Sequence, residues 1–307
     1  MFKEKTTQSQ VIETLDVASS TWYKSQTQST EDKRKNNKGR PKSQTSMTCS
    51  GEIVSDVLVI EALRNIRAQT FFQNGGGYRK LTHYLRRNFG YNINKKKVYR
   101  LCSENGLLLP RGVKKIKRRT PISVNRTISR PFQLWELDIK YGFIHGENRF
   151  FFLMAIIDVY LRYIVGFHIG LRCLGSDLVR TLKLSIERMG IEDSGSLVIR
   201  MDNGSQMTSN AMFNYATQNS EKIIHELIPV QTPNKDAHIE SFYSILETEC
   251  FQVNIFNSFL EGYSTTCDFI KFYHDERIHS SLGYRTPTEC LDLYRKGNLS
   301  GIKNIRL

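Results

Sequence analysis

The chain has 307 residues, 39% of them apolar. No window approaches the roughly 20 apolar residues that a membrane-spanning helix needs, since the richest run, "FFFLMAIIDVYLRYIVGF", is broken by Asp158 and Arg162. The opening "MFKEKTTQSQ" lacks the apolar core of a secretion signal, which predicts a cytoplasmic protein. Six cysteines, at 49, 102, 173, 250, 267 and 290, include no C-x-x-C pair and no Cys/His cluster, which argues against a zinc site or a disulfide framework. The net charge of +14 is segregated. Residues 1–130 hold 27 Lys/Arg against 9 Asp/Glu, a balance of +18, and residues 131–307 hold 17 against 21, a balance of −4. A basic front half is the electrostatic footprint of a polyanion binder.

Residues 1–30 read as a small helical segment, with Ile12, Leu15, Val17, Trp22 and Tyr23 as its apolar set. Residues 31–50, with "EDKRKNNKGRPKSQTS", carry too few apolar groups to bury a core and read as a basic linker. Helical periodicity resumes over 52–68, where Ile53, Val57, Ile60, Leu63 and Ile66 recur at spacings of three and four. After the loop "FFQNGGGYRK" come two amphipathic helices, "YRKLTHYLRRNF" and "NKKKVYRLCSENG", the second capped by Asn94. They form a helix-turn-helix candidate within a 51–110 DNA-binding segment. Lys95, Lys96, Lys97 and Arg100 surround apolar Val98 and Leu101, as a helix lying along DNA requires. Residues 111–130 form a basic connector in which Lys114, Lys115, Lys117, Arg118 and Arg119 can track a phosphate backbone.

From 131 the period changes to that of strands. "FQLWELDIKYG", "RFFFLMAIIDVY" and "RYIVGFHIG" precede a helix at 176–189, the strand "LVIRMD", a helix near 209–218, the strand "KIIHELIPV", and helices near 236–250 and 257–273. Three sequential strands followed by alternating helices and strands predict an α/β, RNase H-like mixed five-stranded sheet flanked by helices over 131–295, with a tail at 296–307.

Three acids stand out by position: Asp138 in the first strand, Asp202 at the end of the fourth, and Glu240 early in "AHIESFYSILETE". In that helix Ile239, Phe242, Tyr243 and Leu246 make the packed stripe, which leaves Glu240 beside it. Carboxylates gathered in this way raise one another's pKa and persist comfortably around a hard divalent cation, Mg²⁺ or Mn²⁺. Such a site performs in-line phosphoryl chemistry without a side-chain nucleophile. Each acid alone is explained by a cap, a turn or a surface position, and Glu136, Asp158, Asp193 and Asp236 show that carboxylates alone select nothing. Asp202-Asn203-Gly204 is a turn signal in its own right, and Ser205 and Gln206 extend it into a loop beside the acids.

The strings "WELDIKYG", "DNGSQMTS", "AHIESFYSILETE" and "HDERIHSSLGYRTPTE", in that order, resemble the signature blocks of bacterial insertion-sequence transposases with a retroviral-integrase-type DDE core, specifically the OrfB product of the IS-three family. "GGYRKLTHYLRRNFGYNINKKKVYRLCSENGL" resembles that family's helix-turn-helix segment. The resemblance implies Asp138, Asp202 and Glu240 as a metal-binding catalytic triad with two ions, and Asn203, Gly204, Ser205 and Gln206 as an active-site loop. It implies cleavage of element ends to free a 3′-OH, strand transfer into double-stranded target DNA, a homo-oligomer at the nucleoid, and an upstream OrfA product on which a chain starting at Met1 depends for full end recognition. Two departures weigh on activity: Lys235-Asp236 where the family often has an acid and then Asn, and Glu247 where it often has a basic residue. The 37 residues between Asp202 and Glu240 exceed the usual spacing, which predicts an insertion near 219–235. His274 and His279 lack partners at metal-ligand spacing, and Arg277, His279 and Tyr284 are expected to pack the C-terminal helix on the core and to line the DNA surface. The rival readings are a non-catalytic DNA-binding regulator and an RNase H-like nuclease.

Overall fold

The computed structural model describes residues 42–73, 75–109, 126–191, 197–219, 222–228 and 237–307. The chain divides into two units, Met1–Thr45 and Ser46–Leu307. The expected helices within 1–30 and the linker up to residue 41 lie outside the described residues, as do Lys114, Lys115, Lys117, Arg118 and Arg119.

The second unit opens with a small three-stranded sheet in the order β2-β1-β3, made by Thr45–Thr48 (β1), Ile53–Ser55 (β2) and Tyr91–Asn92 (β3). Around it pack three helices, α1 (Asp56–Ala68), α2 (Tyr78–Phe89) and α3 (Lys95–Glu104). This corrects two expectations. Ile53 belongs to a strand, because Ser55 caps a helix that starts only at Asp56, and residues 45–48 are paired rather than linker. Gly90, at φ 63°, ends α2 in a left-handed cap that turns the chain directly into β3.

The central sheet contains β5 (Leu134–Ile144), β6 (Arg149–Asp158), β7 (Ile164–Gly170), β8 (Leu197–Met201) and β9 (Ile223–Leu227), in the order β7-β6-β5-β8-β9. The first three strands pair antiparallel, and β8 and β9 add in parallel on the other side of β5. That topology is the RNase H-like one. Its strand β6 reads as a near-continuous apolar run because both faces are covered. Leu153, Ala155 and Ile157 enter one core, and Met154 and Ile156 enter the other. Helices α4 (Gly175–Met189) and α5 (Asn210–Gln218) contribute Leu178, Leu182 and Met212 to the second core. Helices α6 (Ala237–Glu249) and α7 (Phe259–Asp275) contribute Phe242, Leu246, Phe269 and Ile270 to the first. Leu63, Leu81, Leu85 and Val98 of the three N-terminal helices join that same first core, so the helical segment is packed onto the α6–α7 face.

Two stretches differ from the sequence reading. A further helix, α8 (Pro287–Arg295), beyond those expected from the sequence, starts at a Thr286 capping box with Glu289. The end of the connector (β4, Thr127–Ile128) and the end of the tail (β10, Ile305–Arg306) pair with each other instead of trailing free, and Ile128, Ile302, Ile305 and Leu307 pack on the second core.

Candidate active site

The alternation of β5 puts Glu136, Asp138 and Lys140 on one face and Leu137 and Ile139 on the other. The β5–β8 pairing ends at Leu137↔Met201. Asp138 and Asp202 are therefore each the first residue past the last paired couple, and because the strands are parallel both emerge at the same end. Residues 134–137 are buried between two neighbouring strands, whereas Asp138 is half-exposed because β8 has stopped. Asp202 is exposed, and its Oδ1 accepts the Gly204 N–H at 2.9 Å. Gly204 lies so close to this carboxylate that an added Cβ would meet Oδ1 at 3.0 Å. The Asn203 side chain donates to the Ile228 carbonyl just past β9, and the Gly204 carbonyl accepts from Met207 and Thr208. Ser205 and Gln206 hydrogen-bond to each other.

Glu240 sits in the first turn of α6, exposed, while Ile239, Phe242, Tyr243 and Leu246 are buried. The helix is pinned to β5 on both sides of it. Two residues and one residue before Glu240, the backbone N–H groups of His238 (2.9 Å) and Ile239 (3.0 Å) donate to the buried Glu136 carboxylate, which also lies 2.9 Å from His238 Nδ1. It thus serves as a cap for a helix start that has spare amides. Three residues after Glu240, the Tyr243 hydroxyl bonds the Asp138 carbonyl and receives the Ala155 N–H at 3.2 Å.

The electrostatics register the gathering of acids. Burial pushes the Asp138 carboxyl up to about 6, the charges of Asp202 and Glu240 push the same way, and the Ile139 N–H and the Lys140 cation act against them. Burial likewise raises Glu136 to about 7, opposed by its Ile239 hydrogen bond and by Arg200 and Arg162. Among the described residues, no three His, Cys, Asp or Glu side chains already form a group able to hold a metal. The donor chemistry nonetheless fits a hard divalent cation: three carboxylates, two of which raise the pKa of the third.

Lys95 and Lys96 are exposed at the start of α3. Lys97 and Arg100 are instead engaged by Asp56, at 2.5 and 3.0 Å, and Arg100 also meets Glu104. Arg277 is a correction: it is buried, with its guanidinium forked onto the Glu249 carboxylate by two bonds of 2.8 Å, so it does not line a DNA surface. His274 accepts the Ile164 N–H and stacks on Tyr163. His279 is buried against Tyr273. Glu247 pairs with Lys140 at 2.7 Å. Sequence reasoning missed Glu136 and Tyr243 as positioning groups. The available signal was a carboxylate two residues before Asp138, on the same face of a strand too apolar to leave it unpartnered.

Three family models match this chain: integrase core domains over residues 128–228 and 221–287, and an HTH-like domain over residues 61–115. Along the chain, the stretch that matches the HTH-like model thus precedes the stretches that match the integrase-core models. Three curated relatives are named for insertion elements, and two of them show the extent of the likeness. An uncharacterized 39.2 kDa protein of insertion element IS476 from Xanthomonas euvesicatoria is 29% identical over 71% of this chain, which spans 61% of that protein's length. A candidate transposase, InsK, of insertion sequence element IS150 from Escherichia coli (strain K12) is 24% identical over 72% of this chain and 80% of its own. Among solved structures, a simian T-cell lymphotropic virus intasome in complex with PP2A regulatory subunit B56 gamma matches with 15% identity, 74% of this chain, 75% of that chain and a TM-score of 0.47. Among the described residues, no helix is long and apolar enough to cross a membrane.

Proposed function

We propose that the chain is a DDE transposase, acting on double-stranded DNA in the cytoplasm, at the nucleoid. The observation that carries this reading is the emergence of Asp138 and Asp202 together past Leu137↔Met201, with Glu240 on a helix pinned to the same strand. In the first reaction, a water oxygen bonds to phosphorus and the bond to the 3′ oxygen breaks, freeing a 3′-OH. In the second, that hydroxyl bonds to a phosphorus of the target strand and displaces its 3′ oxygen. Asp138, Asp202 and Glu240 would hold Mg²⁺ or Mn²⁺, two ions in all. Such ions supply activation of the attacking oxygen and stabilisation of the leaving one. The chain's own contribution is to hold three carboxylates at one sheet edge, keep the 202–208 turn closed, and present cations of the HTH-like segment to the duplex. A homo-oligomer follows from the need to pair two DNA ends. An OrfA partner finds no support in the matches and enters only as an addition to the assay.

The test uses the purified chain with the ends of its own element and Mg²⁺ or Mn²⁺, with and without an OrfA product. Nicking and joining are expected, and Asp202→Asn is expected to abolish both while keeping DNA affinity. A precut end with a free 3′-OH that is never joined would leave the nuclease reading. Activities unchanged in Asp202→Asn would leave the DNA-binding regulator.

A further inference from the structure

The basic helix α3 is less available to DNA than its sequence implies, because Asp56 engages Lys97 and Arg100. Further positive charge gathers at its first residue and on α2. A cavity of about 400 Å³ opens between α2, the start of α3 and the turn at Tyr284, lined by Arg79, His83, Arg86, Asn94, Lys95 and Tyr284 together with Thr82. It has three cations and no carboxylate in its wall.

The wall is built rather than incidental. Arg86 is fixed by two hydrogen bonds, Nε at 3.1 Å and Nη2 at 2.7 Å, to the Ile93 carbonyl, which uses only two of its five donors. Tyr284 is held at φ +62°, a left-handed conformation that strains a bulky residue. There its ring stacks on His83, centroids 3.5 Å apart and 15° from coplanar. Burial first, and Arg86 second, hold His83 below its ordinary pKa. Arg79 and Lys95 are exposed at the rim.

We infer that this cavity seats one backbone phosphate of a DNA strand, shared by Arg79, Arg86 and Lys95. A phosphate matches the sign, the donor number and the forked geometry of arginine. The choice of DNA rests on the function proposed above. Because Tyr284 follows α7 of the core and the rest of the wall belongs to the HTH-like segment, the seated strand would touch both at once.

The test is a salt titration of binding to a labelled mixed-sequence duplex in EDTA, which needs no catalysis and so stands apart from the fate of the transposase reading. Each phosphate contact contributes about 0.9 to the slope of log Kobs against log salt. Arg79→Gln and Lys95→Gln, both at exposed positions, are expected to weaken binding several-fold each, and the double variant to lose about one unit of slope in total, on a shared-phosphate basis. A loss of about two units would mean separate contacts on an ordinary basic surface, and no loss would mean that DNA does not enter; either outcome overturns the proposal. Melting curves of the three variants confirm that the fold is intact.

Discussion

The hydroxyl of Tyr243 donates to the main-chain carbonyl of Asp138, so the residue three positions beyond Glu240 is bonded to the backbone of the residue that Glu240 must face. The same hydroxyl receives the Ala155 N–H from β6. Tyr243→Phe keeps the ring's packing and removes this joint. About 1–3 kcal/mol of stability should be lost, the cost of leaving buried backbone groups without a partner. Nicking and joining should fall by about tenfold or more, since a displacement near 1 Å at a reacting centre is that costly. A variant that loses stability but keeps full turnover below its melting point would show that the bond does not position Glu240.

Glu136 makes the complementary joint at the start of α6, and its substitutions should separate capping from charge. Glu136→Gln retains an oxygen at the Oε2 position that accepts both amides and loses the Oε1 acceptor beside His238 Nδ1, while Glu136→Ala leaves both amides orphaned. Loss of a cap costs roughly 0.5–2 kcal/mol. The expected order of both melting temperature and turnover is wild type, then Gln, then Ala, with DNA affinity unchanged throughout. Equal turnover in Gln and Ala would remove Glu136 from the positioning machinery.

These two joints mark where the sequence stops being legible. The alternation of β5, the near-continuous apolar run of β6, and the stripe Ile239, Phe242, Tyr243 and Leu246 announce the sheet and α6, because the apolar pattern records burial. Asp138 and Asp202 are likewise readable, as an acid within one strand and an acid ending another. Glu136 reads as one carboxylate among many, because the amides it caps lie 102 and 103 residues away. Tyr243 reads as core, since nothing local says that its hydroxyl reaches a carbonyl 105 residues back. Strand β1 is hidden in a polar run, and the β4–β10 pair joins the end of the connector to the tail, which no local pattern links. Lys97, Arg100 and Arg277 carry the right charge for DNA, but Asp56 and Glu249, which engage them, are visible as partners only in three dimensions.

Glu247 holds Lys140 two residues from Asp138, which places a neutralised cation beside the acids. Glu247→Gln should release that charge. DNA binding should tighten, and the salt slope should rise by about 0.9 if Lys140 then meets a phosphate. Stability should change by no more than about 1 kcal/mol, since the pair is partly exposed. Lys140→Met in the same background should cancel the gain. Fluorescence anisotropy across a salt series reads both, and a slope unaffected by either change would sink the assignment.

The Glu249–Arg277 pair ties α6 to the end of α7 inside the protein, where removing one partner strands a buried charge. Arg277→Ala should cost about 3–5 kcal/mol, visible as a lower denaturation midpoint, with the salt slope for DNA unchanged where the variant is still folded. Arg277→Lys should recover only part of the loss, because an ammonium cannot reproduce the forked pair of bonds. A variant of normal stability and reduced salt slope would return Arg277 to the DNA surface.

His274 sets a pH limit far from the acids. Its Nε2 accepts the Ile164 N–H at 3.0 Å, which requires a neutral ring, and its face stacks on Tyr163. Burial drives its pKa from 6.5 down to about 3, with Arg188 adding to the fall and Asp275 opposing it. The unfolded chain therefore binds a proton that the folded one refuses between these values. Stability from this group is complete above pH 6.5 and declines as pH falls towards about 3. His274→Phe keeps a flat ring and cannot be protonated, so its stability should depend less on pH across that window, although it starts lower at pH 8 for want of the acceptor. Urea denaturation at pH 8, 6, 5 and 4 measures this directly, and wild-type and variant curves that run parallel would rule out His274 as the source of acid sensitivity.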